Sequence, residues 1–211
     1  MAGRRAAGHP PRADAHLHGL QSGGEISSPA AVIGFWFGPP PYEQRADWFR
    51  KSEAFDRLVA EHFGAEVEAA LAGTLAQVWA AEPLAEILLL DQFTRNIFRG
   101  SARAFAGDAR ALLLAQQLVA SGEHLELPPM QRWFAYLPFE HAEDLALQDE
   151  SVRLFGALAA EDPGLAGALD YAQRHHEVIR RFGRFPHRNA LLGRSDTAAE
   201  IEYLAQPGAG F

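Results

Sequence analysis

Between Leu84 and Phe98, the apolar residues Leu84, Ile87, Leu88 and Phe98 recur in helical register, and Asp91 and Arg95 fall on the same stripe. That spacing predicts one helix from Pro83 to Phe98 whose core-facing side carries a carboxylate and a guanidinium. Two such groups one turn apart can pair, and on a buried stripe each needs a partner because an isolated buried charge is costly. The chain must therefore fold around a helix that turns charge inward. Gly100 is the expected C-terminal cap.

The rest of the chain also reads as helical. Ser28 and Pro29 suit the cap and first turn of a helix carrying Val32, Ile33, Phe35, Trp36 and Phe37, stopped by Gly38 and the prolines behind it. A second helix is predicted from Trp48 to Phe63 with Gly64 closing it, followed by shorter helices through Val67, Leu71, Leu75 and Trp79. Asp108 or Ser101 can start the helix that ends at Ser121-Gly122. Pro128-Pro129 opens a short helix that Pro138 should interrupt, and a long amphipathic run follows from Phe139 to about Ala160. Leu165, Leu169, Ala172, His175, Ile179 and Phe182 step in helical register, which puts His175 on the apolar stripe and His176 toward solvent. Thr197 and Glu200 match a capping box for a last short helix. Nothing alternates long enough to make a sheet, so the expected fold class is all-α. Residues 1–27 lack apolar periodicity and read as a flexible arm, leaving 28–211 as one helical domain.

Composition narrows the function classes. A net charge of −8 argues against a nucleic-acid binder. The absence of cysteine excludes thiolate chemistry and disulfides. No apolar run of about 18 residues is present to span a bilayer, and no secretory signal opens the chain; a cytoplasmic location with no membrane partner is expected. A single lysine, Lys51, stands against eighteen arginines, so arginine positions carry more weight than arginine numbers.

Three polar motifs supply a candidate site. Tyr171 to Arg194 holds six arginines and three histidines with one carboxylate, Glu177. Asp91 to Gly100 (DQFTRNIFRG) echoes it: Arg95-Asn96 precedes Gly100 as Arg188-Asn189 precedes Gly193, each behind a phenylalanine. Leu137 to Asp144 (LPFEHAED) adds carboxylates and His141. Arg95, Arg184 and Arg188 are the expected donors to an anion, since guanidinium offers planar, paired N–H groups that match carboxylate or phosphate oxygens. Asn96 and Asn189 are the expected orienting groups, and Asp91, His141, Glu143 and His187 the expected acid–base groups. The same side chains can instead cap helix ends and pair internally with Asp91, Glu143 or Asp144. His141, His175 and His187 with Asp91 or Glu143 have the chemistry of a zinc, iron or manganese ligand set. They lack two histidines one helical turn apart, and no residue is assigned as a metal ligand. No phosphate loop or nucleophile elbow is recognisable.

At these residues the chain resembles a bacterial domain-of-unknown-function family, number 924. The similar pieces are DQFTRN (Asp91 to Asn96), LPFEHAEDL (Leu137 to Leu145) and HHEVIRRFGRFPHRNALLGR (His175 to Arg194), with VIGFWFG near Val32 and WFRKSEAFD near Trp48. The resemblance implies an all-helical fold like that of tetratricopeptide-type hairpins and implies no activity. The function expected from the residues is binding of a small anionic metabolite in a polar cleft, with acid–base catalysis as an extension. The alternative is a helical-hairpin module that binds a peptide or protein. The sequence leaves the cofactor and oligomeric state open.

Overall fold

Two helices form the buried centre, and the others wrap them. In the computed structural model, which describes residues 27–75 and 79–210, every regular element is helical and no strand occurs among the described residues. They make one all-α domain. The arm expected over residues 1–27 lies, apart from Ser27, outside the described residues.

The elements in order are α1 (Pro29–Phe37), α2 (Glu53–Leu71), α3 (Pro83–Ile87), α4 (Thr94–Ile97), α5 (Asp108–Ser121), α6 (Pro129–Glu140), α7 (Leu145–Glu161), α8 (Ala166–Phe182) and α9 (Ala198–Leu204). A π-helical segment, Leu88–Phe93, joins α3 to α4 without a break. Its signature is the Thr94 amide, which reaches back to the Leu89 carbonyl five residues before it. Every residue from Leu84 to Thr94 is buried, as is every residue from Gln131 to Glu140 of α6. These two runs pack together, with α1, α2 and α5 against the first and α5, α7 and α8 against the second.

Caps follow the local chemistry. Ser28 Oγ accepts from the Ala31 amide at 3.2 Å, and the Thr197–Glu200 capping box is complete. Gly183 ends α8 with φ 69°, a left-handed conformation that favours glycine. Gly107 is required for a different reason: a Cβ there would lie 2.3 Å from the Leu90 carbonyl oxygen. The bare backbone brings the start of α5 against the π segment.

Four expectations are corrected. Gly64 sits inside α2 and does not end it, because buried Glu66, Val67 and Ala70 carry the helix on to Leu71. Trp48 belongs to a separate 3-10 turn, Ala46–Trp48, and α2 begins only after Ser52, whose Oγ accepts from the Phe55 amide. Pro138 does not interrupt α6. It stands one turn from the helix end, where a single backbone hydrogen bond is lost, and the buried faces of Phe134, Tyr136, Leu137 and Phe139 hold the helix straight through. The run expected from Phe139 instead breaks at His141, and Asp144 caps α7 by accepting from the Leu147 amide at 3.0 Å.

Candidate functional site

The ends of the buried helices, the start of α5 and the Gly183–Asn189 corner converge on one polar junction. Asp91, within the π segment, is its inner carboxylate and is 1 % exposed. Its Oδ1 faces His141 Nδ1 at 2.7 Å and Arg95 Nη2 at 3.6 Å, and its Oδ2 accepts from Gln92 Nε2 at 2.5 Å. Burial works to raise the Asp91 carboxyl, but His141, Arg95 and the hydrogen bonds from His141 and Gln92 outweigh it and hold it below the usual carboxylate range. Burial also lowers the His141 imidazole. At neutral pH that ring is therefore uncharged and serves Asp91 as an Nδ1–H donor, leaving Nε2 with its lone pair.

Arg95 turns its other side to α5. Its Nη1 donates to Asp108 Oδ1 at 2.9 Å and its Nη2 to Oδ2 at 3.0 Å, a bidentate pair, and Nη1 also reaches the Asp91 carbonyl at 2.6 Å. Arg188 meets the same carboxylate from the far end of the chain, donating from Nη1 to Asp108 Oδ2 at 3.2 Å. Its guanidinium lies over Phe105 at 4.7 Å and Phe185 at 4.5 Å. The two Arg-Asn motifs read from the sequence thus meet on a residue read only as a helix start.

Arg188 is the least satisfied cation of the junction. It is buried, its Nε has no hydrogen-bond partner, and burial together with the nearby Arg95 lowers it to about 10. Around the Phe185 ring lie His175, at 5.4 Å between centroids, and His187, at 5.7 Å. Burial, reinforced by Arg188 and His141, lowers His187 to about 4. His175 is held well below its ordinary value, chiefly by burial. Its Nδ1 stands 2.9 Å from the Tyr171 carbonyl, which can only accept, so Nδ1 carries the proton. The same nitrogen is 3.1 Å from Glu140 Oε1. Burial, with the Asp91 charge added, raises the Glu140 carboxyl well above the usual range. Gln148 fixes this corner by donating from Nε2 to the carbonyls of Glu140 at 2.7 Å and Ala142 at 2.8 Å.

Other expected site residues are engaged in pairs of their own. Glu143 takes both Arg194 Nη1 and Nη2, at 2.6 and 2.9 Å, and the Phe185 amide at 2.8 Å. Those hydrogen bonds outweigh burial and keep its carboxyl below the ordinary value. Arg184, expected among the anion donors, is instead clamped by Glu200 at 2.6 and 2.8 Å. Asn96 turns to Asp56 at 2.8 Å, and Asn189 donates to Asp196 at 2.6 Å and accepts from Arg194 Nε at 2.8 Å.

Comparison with known proteins places this arrangement. The profile of a family described as bacterial protein of unknown function (DUF924) matches residues 32–208, which spans all three polar motifs. The chain belongs to the DUF924 family. It is similar to a solved protein of unknown function, ATU0120 from Agrobacterium tumefaciens, with 37% identity, a TM-score of 0.73, and coverage of 84% of this chain and 96% of that one. No match was found among curated proteins. For this DUF924 chain, sequence reasoning missed Asp108, Glu140, Arg194 and Glu200. Glu140 sits inside a quoted motif beside His141 and could have been noted there. Asp108 carried no such signal, because what distinguishes it is a partner in a distant part of the chain.

Proposed function

We propose that this protein binds a small anionic metabolite in the polar junction, with Arg188 as the group that receives a carboxylate or phosphate oxygen. The observation that carries the reading is the state of that guanidinium. A guanidinium has five N–H donors, and leaving a buried one partly unmet is costly unless a ligand completes it. Arg188 makes a single 3.2 Å hydrogen bond to a carboxylate shared with Arg95, and its Nε has none. Arg95 supports it by holding Asp108 from the other side, whereas Arg184, Asn96 and Asn189, already engaged, shape the walls.

Proton transfer is the natural extension. Glu140, whose carboxyl burial raises well above the usual range, is a candidate acid. His141, oriented by ionised Asp91, and His187 are candidate bases. A cytoplasmic location suits a metabolite ligand, and no helix among the described residues is long and apolar enough to cross a membrane.

The other reading is a tetratricopeptide-like module that grips a peptide. It draws on the successive packing of α6, α7 and α8 and on a surface hollow of about 340 Å³ lined by Asp170, Arg174, Glu177 and Tyr203 among others. A thermal-shift panel of inorganic phosphate, citrate and acetate separates the two. The anion reading expects wild-type stabilisation that Arg188→Met loses while keeping its helical circular dichroism; ligand at a hundredfold excess over Kd stabilises by about 2.7 kcal/mol. An unshifted wild type sinks the anion reading and favours the peptide module.

A further inference from the structure

We propose that Glu140, His141 and His175 form a binding site for a divalent first-row transition metal, zinc or ferrous iron, at the C-terminal end of α6. One donor atom from each of the three residues lies within 4.8 Å of the other two. Two imidazole nitrogens with one carboxylate oxygen suit these borderline ions and leave at least one coordination position open.

Three observations converge on this site. First, Glu140 Oε2 is buried and has no hydrogen-bond partner, so a ligating lone pair is held away from water with nothing to satisfy it. Second, the donors are already held side by side. His141 donates from Nδ1 to the Asp91 carboxylate, which fixes that ring as metal-bound histidines are fixed, and His175 Nδ1 stands 3.1 Å from Glu140 Oε1. Third, the rings are nearly at ligating separation. With Zn–N bonds of ~2.0 Å in a tetrahedral arrangement, the two ring centroids would stand roughly 5 Å apart; here they are 6.1 Å apart. A contraction of about 1 Å, within the reach of side-chain rotation at the last turn of α6, brings them to an ion.

Glu140 is the last helical residue of α6 and His141 its C-cap, and the cluster joins both to His175 of α8. Gln148 holds the backbone there through three carbonyls. His141 is the more exposed of the three, which makes it the side of entry. A metal bound here would offer its open position to the same junction that Arg188 faces and act as a Lewis acid on an anion's oxygen. The metal site rests on its own donors and does not require the anion reading.

The test uses the full chain carrying His9→Ala, His16→Ala and His18→Ala, so that the histidines of residues 1–27 do not bind metal adventitiously. After treatment with chelator, it is titrated with zinc and, as a spectroscopic probe, with cobalt(II). One equivalent is expected, with a rise in Tm and a cobalt absorption band of low-coordinate geometry. Glu140→Gln and His175→Gln should each weaken binding at least tenfold. Should either variant fail to fold, long-range 15N spectra of the wild-type imidazoles decide: two of the rings, His141 and His175, must each shift at a ring nitrogen on adding zinc. Less than a tenth of an equivalent bound, binding unchanged in both folded variants, or imidazoles that do not respond overturns the site. Arg188→Met separates the two readings, because it should abolish anion-induced stabilisation and leave the metal equivalent in place.

Discussion

The two ends of α6 meet opposite environments. At its start, Trp133 and Phe134 join an aromatic cluster in which Phe134 lies edge-on to Trp36 at 5.6 Å and to Trp48 at 4.7 Å, with Trp36 against Phe93 at 5.2 Å. At its end, Glu140 and His141 face Asp91, His175 and the arginine-bearing corner. The first end is held by shape and area, the second by the matching of charges and protons. One helix thus couples a region that tolerates loss of detail but not of volume to a region where a single atom's protonation decides the balance. The π segment makes the same passage, from Leu88–Leu90 in the apolar core to Asp91 in the junction, and π-helical turns inside α-helices are frequent at functional sites.

The contrast can be tested from its strongest consequence downward. Trp36 is fully buried, so Trp36→Ala should cost about 3–5 kcal/mol in urea unfolding. Such a loss would leave much of the molecule partly unfolded at 37 °C. In the junction, Asp108→Asn takes the shared carboxylate from Arg95 and Arg188. Breaking a buried ion pair by removing one partner costs about 3–5 kcal/mol, and the partial exposure of Asp108 puts this case at about 3 kcal/mol or below. A loss under ~1 kcal/mol would show that the two arginines are satisfied without it.

Acid should separate the ends next. His187, lowered to about 4, and His175 and His141, also lowered, refuse protons that the unfolded chain accepts below about 6.5. Their stability is complete above that value and is lost as pH falls through the folded pKa. The depressed carboxyls of Glu143 and Glu200 lose theirs at lower pH still, Glu200 only near 2. The unfolding free energy in urea should therefore fall between pH 7 and 5, by on the order of 2 kcal/mol for His187. His187→Gln should flatten part of the slope, whereas Trp36→Ala should shift the curve without changing its shape. The smallest effect is expected from Glu140→Gln in metal-free protein. The native state keeps a proton on Glu140 that the unfolded chain releases above about 4.3, so its contribution is fully present below that pH and declines as pH rises. The amide removes that slope, and the variant should gain on the wild type as pH rises above about 4.3.

The aromatic half was largely legible in the sequence, because periodicity and caps are local. Ser28 and Gly122 do what neighbouring residues imply, as do Gly183 and Thr197 beside the junction. Gly64 and Pro138 misled for one reason: buried neighbours overrode a local breaker. In the polar half, Asp91 and Arg95 were readable as paired charges because they interrupt an apolar stripe. The partners of the remaining arginines were not. Asp108 lies 80 residues from Arg188, Glu143 lies 51 from Arg194, and no spacing rule joins such pairs. The sequence could nominate the charged groups, and only the fold could say that Arg184 belongs to Glu200 and Arg188 to Asp108.

The sharing of Asp108 also sets an order in time. Arg95, 13 residues before it, can engage as soon as the start of α5 has formed, but Arg188 reaches the ribosome exit only after 80 further residues have been added. At a synthesis rate of about 5–20 residues per second, Arg95 and Asp108 wait several seconds for the segment that closes over them. Until then, the sides of Asp91 and Glu140 that the Gly183–Asn189 corner covers face water. Closure of the junction therefore waits on a segment far along the chain from the helices that frame it.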